Sequence, residues 1–173
     1  MTVSTQSIWL QLEDSALGTT IAGSEWMFPT IETIHVIAIV TVIGAIAMLD
    51  LRLLGLASGN RSVRALAHDT LPVTWAAFAL ATVSGALLFA SKASTYMVNP
   101  YFLWKLGFMA AAGLNMAVFH RYLARGMDKW GAPAAAAVPR NAKLAGALSL
   151  ALWLIIPFCG RVIGFTLGVY TPS

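Results

Sequence analysis

Residues 26–56 read WMFPTIETIHVIAIVTVIGAIAMLDLRLLGL. Between Thr30 and Leu54 the only ionisable side chains are Glu32, His35, Asp50 and Arg52. An α-helix rising about 1.5 Å per residue crosses about 30 Å of hydrocarbon in ~20 residues, so this stretch is long enough to span a bilayer. Three further apolar runs follow, Leu71 to Ser91, Tyr101 to Tyr122 and Lys143 to Val169. Pro29, then Asp69 and Thr70 with Pro72, then Asn99 with Pro100 mark the starts of the first three. The whole chain of 173 residues is 58% hydrophobic and 10% charged, far below the roughly 25% charged of a soluble domain. The expected fold is all-α: an integral membrane four-helix bundle over 30–169, preceded by an N-terminal segment over 1–29. Sequence neighbours are expected to be antiparallel neighbours in space.

Basic residues set the orientation, because short loops rich in Lys and Arg stay cytoplasmic. Arg52, Arg61, Arg64, Arg121, Arg125, Lys129, Arg140 and Lys143 fall on one side, and only Lys92 on the other. Both termini are therefore expected outside, in the periplasm of a bacterial inner membrane. Trp26, Phe28, Tyr96, Tyr101, Trp104 and Tyr170 stand at span ends, where aromatic rings meet headgroups. Residues 1–29 carry no Lys or Arg, which argues against a cleaved leader. Ile8, Trp9 and Leu12 suit either the apolar side of a short interfacial helix or a disordered tail. GAPAAAAVP, residues 131–139, reads as a spacer between the third and fourth spans. The net charge of +4 is mainly a topology signal and does not suggest nucleic-acid binding. The lone Cys159 excludes an intrachain disulfide and a cysteine-cluster metal site.

Ionisable groups inside a membrane are costly and tend to face the bundle interior, so each is a site candidate. They form two layers. His35, Lys105 and Arg161 are expected near the outer level, with Glu32 one turn before His35 and placed to fix its tautomer or balance charge. Asp50, Arg52, His68, Asp69, His120 and Arg121 make an inner layer, with an Asp50–Arg52 salt bridge or cap expected. His35 and Asp50 are fifteen residues apart, about 22 Å along a helix. Three histidines and few carboxylates do not supply an ordinary zinc or calcium ligand set, whereas a haem needs only one or two axial ligands and apolar walls. Gly160, Gly164 and Gly168 form a smooth strip suited to another helix or to a flat porphyrin. Pro157 frees the carbonyl of Trp153 a turn before Arg161.

The run quoted above, with SGALLF at 84–89 and YFLWKLGFMAAAGLNMAVFH at 101–120, resembles a group of bacterial four-helix membrane proteins marked by DLRLLG at the end of helix one. More distantly, a His early in helix one and a Lys in a WKLG-like start of helix three are similar to the pattern of HemJ-type protoporphyrinogen IX oxidases and their CopD-like relatives. That resemblance implies a bound haem b associated with His35 and Lys105. It stops after helix one, where those enzymes have a Leu-Pro-Arg-Leu type of ending in place of DLRLLG.

The leading expectation is a b-type haem protein, an electron-transfer oxidoreductase working with a quinone or a redox protein. Haem b is expected around His35, with Lys105 as second axial ligand or propionate partner and Arg161 as propionate partner. A second, inner haem between His68 and His120 would complete a transmembrane path. The alternatives are a protoporphyrinogen oxidase, a copper handler using Met97, His35 and Met27, or a cofactor-free anchor subunit. Each is compatible with a homo-oligomer in the bilayer.

Overall fold

The computed structural model describes residues 8–123, 125, 127, 130 and 138–170. Lys129, most of the 131–139 spacer and the first seven residues of the N-terminal segment lie outside them. The described chain is helical, and four of its helices are long and apolar enough to cross a membrane. Two short helices, α1 (Ile8–Glu13) and α2 (Ala16–Gly23), precede α3 (Met27–Leu54) and α4 (Val63–Ser91). Then come α5 (Ala93–Val98), α6 (Pro100–Val118), a π-helical turn at Phe119–Leu123, and α7 (Arg140–Thr166). Only 11% to 28% of the most apolar stretch of each span is buried inside the chain. Lipid must cover the rest, and the protein is a multi-pass membrane protein.

Local chemistry sets the boundaries. Asn99 accepts from the Tyr101 amide at 3.0 Å and Pro100 follows as the first helical residue, so α6 begins as its sequence indicates. The second span starts about two turns before the expected Asp69 and Thr70. Its cap is Ser62, whose hydroxyl accepts from the Ala65 amide at 3.1 Å, and Pro72 lies inside the helix. His68 is therefore a helical residue rather than part of a loop. At the other end of the DLRLLG motif, Gly55 adopts φ 81° and Leu56 N–H returns to the Leu51 carbonyl at 2.9 Å. That left-handed closure is what a glycine at this position permits. Arg52, buried, donates from Nε to the Arg61 carbonyl at 2.7 Å, and Arg61 pairs with Asp69, tying the loop to both spans. Asp50 lines the same groove as Ser149 of α7, while the Arg52 Nε–H goes to the Arg61 carbonyl in place of the expected Asp50–Arg52 contact.

The helices follow one another around the bundle as α4, α3, α7 and α6. Helix α3 packs on both α4 and α7, and α7 packs on α6. The expected antiparallel contact between the second and third spans is the exception: the Cα traces of α4 and α6 nowhere approach within 8 Å. At the outer end the gap is bridged by side chains. Phe89 and Phe102 stack at 5.4 Å and 8°, Tyr96 lies 5.3 Å from Phe102, and Trp9 meets Phe89 edge-on at 5.9 Å. The N-terminal segment is part of this lid. Glu13 accepts from the Ser94 amide at 3.1 Å and from its hydroxyl, and Ile21 is buried. The Tyr96 phenol, outside the spans, is pushed above its ordinary value first by burial and then by the charge of Glu32.

Between α3 and α7 the backbones come close at Gly146. A Cβ there would lie 3.2 Å from Leu53 Cβ and 3.4 Å from the Asp50 carbonyl oxygen. The expected glycine strip does not share this role: a Cβ on Gly164 of α7, or on Gly168 just beyond the helix, would meet nothing within 4 Å. Substituting Gly146→Leu should therefore cost about 1–3 kcal/mol of stability by overpacking, read from unfolding in mixed detergent. Gly164→Leu should be near neutral; equal losses at both positions would contradict this packing.

Candidate functional site

The outer polar layer is built from α3 and α4. His35, half-buried, faces α4, where its Nδ1 lies 3.0 Å from Ser84 Oγ. Ser84 has a single hydroxyl proton, and that proton goes to its own helix: Oγ is 2.6 Å from the Leu80 carbonyl. The Ser84 oxygen can then only accept from the imidazole, which makes Nδ1 the protonated nitrogen and leaves the Nε2 lone pair uncommitted to Ser84. The next residue, Gly85, makes room for the ring. A Cβ on Gly85 would sit 2.8 Å from His35 Cε1, a contact that side chains do not tolerate. The pair Ser84–Gly85 thus orients one nitrogen and clears the space the ring occupies.

Lys105 of α6 reaches the same region from the opposite side. It is half-buried, and its Nζ lies 3.8 Å from the Cβ position of Gly160 on α7. It is within electrostatic reach of His35 and of the buried Cys159. His35, Ser84, Lys105 and Gly160 therefore bring all four spans to one level beneath the aromatic lid.

Arg161 does not join them. Next to Gly160 in sequence but rotated about 100° around the helix, it is exposed and lays its guanidinium over Phe165 at 4.6 Å. Glu32 is also exposed; Ser84, not Glu32, holds His35 Nδ1. In the inner layer, His68 is 88% exposed and sits beside Asp69 at 3.4 Å. His120, in the π-helical turn, donates from Nδ1 to the Met116 carbonyl at 3.0 Å and lines the space between α4 and α6. His68 does not line that space, so the two inner histidines face different surroundings. Among the described residues, no three His, Cys, Asp or Glu side chains converge on a metal-sized site.

Reading the sequence for ionisable residues located His35 and Lys105 but missed Ser84, Gly85 and the Phe89–Phe102 stack. A signal was present: a Ser-Gly pair in an apolar span is where a neighbouring helix can approach and find a hydroxyl. The chain matches no family model, no curated protein and no solved structure.

The tautomer is directly measurable. In protein labelled with ¹⁵N-histidine, neutral His35 should show a protonated Nδ1 and an unprotonated Nε2, and Ser84→Ala should redistribute the proton. An Nε2–H tautomer in the parent protein, or a Ser84→Ala spectrum identical to it, would show that Ser84 does not orient the ring.

Proposed function

We propose that the protein is a b-type haem protein of the bacterial inner membrane that transfers electrons, with a quinone or a redox protein as partner. The observation that carries this reading is the His35–Ser84 hydrogen bond. An imidazole that ligates iron through Nε2 is commonly held by a partner on its other nitrogen, which fixes ring orientation and raises ligand basicity. His35 is held in that manner.

The donor set fits an iron porphyrin in its chemistry. His35 offers a neutral nitrogen, and Lys105 offers an amine from the opposite pair of helices. Ser84, Gly85 and Gly160 keep the facing surfaces small, and Phe89 and Phe102 supply aromatic cover above. Haem bound there would supply reversible one-electron chemistry in a medium from which water is excluded. The chain's own residues do the rest. His35 would hold the iron, and Lys105 would act as second ligand or as the cation facing a propionate. The lid formed by Trp9, Phe89, Tyr96 and Phe102 would shield the level from the aqueous face. Arg161, on the outer surface, is not assigned to this site. One haem is proposed rather than two, because His68 and His120 do not share a common space. The basic residues clustered at the inner end favour the inner-membrane orientation with both termini in the periplasm.

The test is the absorption spectrum of protein purified from haem-replete cells, oxidised and dithionite-reduced, with a pyridine haemochrome count. One haem per chain is expected, lost in His35→Ala and retained in His68→Ala and His120→Ala. Colourless parent protein, or full haem content in His35→Ala, would overturn the proposal.

A further inference from the structure

Below the His35 level, where α4 and α6 do not touch, the bundle encloses an open groove of about 190 Å³. Its walls are apolar and aromatic: Trp75 and Phe78 from α4, Met109 and Phe119 from the α6 side, and Trp153 from α7. Several polar groups on its surface are already engaged. Thr70 and Thr74 hydroxyls donate to the Leu66 and Thr70 carbonyls at 2.9 and 2.8 Å, and Asn115 Nδ2 donates to the Ala145 carbonyl at 3.0 Å.

Two groups depart from this pattern. Asp50 lines the groove beside Ser149 and is only 4% exposed, and its buried Oδ2 has no hydrogen-bond partner. A buried carboxyl oxygen without a partner is costly, and a structure that retains one leaves a place for a donor to arrive. His120 has committed its Nδ1 proton to Met116, so the neutral ring presents Nε2 as a second acceptor. The groove therefore combines flat aromatic walls with an excess of acceptors, in a protein whose surroundings are lipid.

We propose that this groove binds the ring of a membrane-soluble hydroquinone, with a ring hydroxyl donating to Asp50 Oδ2. A hydroquinone presents hydroxyl donors on a planar apolar ring and partitions into the bilayer, so it meets each feature of the site. Phospholipid tails would fill the apolar volume but leave Asp50 unsatisfied. The oxidised quinone offers only carbonyl acceptors and brings no donor for Asp50 Oδ2. The inference does not rest on haem at His35, which stands on the same helix about 22 Å from Asp50 along its axis.

The full chain in lipid nanodiscs should take up tritiated decylubiquinol, kept reduced, saturably and at one molecule per chain beyond empty nanodiscs. Asp50→Asn should weaken that binding about tenfold. Gly113→Phe should weaken it at least as much by filling the groove, and because Gly113 lines the groove and has no neighbour within 4 Å, the fold has room for the ring. The dimethyl ether of the probe, which lacks both O–H donors, should fail to compete. Uptake equal to that of empty nanodiscs would overturn the proposal, as would equal competition by the ether or undiminished binding in Gly113→Phe. Since the label rather than colour is read, haem-free protein must bind equally well, so failure of the haem reading is distinguishable from failure here.

Discussion

Close approach of α3 to its two neighbours is the constraint on which the rest of the structure depends. In hydrocarbon the helices gain little from burying apolar side chains against one another, because lipid tails are equally apolar. Association depends on tight packing and on polar groups that must be satisfied inside the protein. Helix α3 meets both needs at two levels. Near the outer end the His35 ring lies over Gly85 of α4, with Ser84 as its partner. Near the inner end Leu53 and the Asp50 backbone lie over Gly146 of α7, with Ser149 on the same groove as the Asp50 carboxyl. His35 and Asp50 thus each sit beside a glycine that lets the neighbouring backbone in and a serine on that neighbouring helix.

The space left over follows from that arrangement. Because α3 and α7 form the packed spine, α4 and α6 stand on either side of it and remain apart. Aromatic rings close the gap at the outer end, whereas toward the inner end it stays open as the Asp50 groove. The two polar levels accordingly have different characters. Around His35 a histidine and a lysine face each other under a lid, and around Asp50 unpartnered acceptors face an apolar cleft.

Much of this was legible in the sequence. Four long apolar runs and asymmetric basic loops gave the spans, and the cost of charge in lipid singled out His35, Lys105 and Asp50. The missing parts all depend on partners remote in sequence. Nothing local distinguishes Gly146, which is packed, from Gly164, which is not, because the difference lies in which face of α7 meets α3. Arg161 looked equivalent to Lys105 in depth but sits on the wrong side of its helix. The start of α4 was misplaced because Asp69 and Pro72 resemble a helix entrance, while the operative cap, Ser62, stands in a polar loop with weak hydrophobic patterning on either side. The open α4–α6 seam contradicts the expectation that short connections make adjacent helices. Here α5 and the aromatic cluster occupy the connection and leave the two backbones apart.

The central claim is that Ser84 holds His35 so that its Nε2 can ligate iron. The most direct measurement is the hyperfine coupling between ferric iron and nitrogen in protein carrying ¹⁵N only in histidine. A strongly coupled imidazole nitrogen is expected, one that disappears in His35→Ala and survives in His120→Ala. Absence of any histidine coupling, or a coupling that persists without His35, would contradict it.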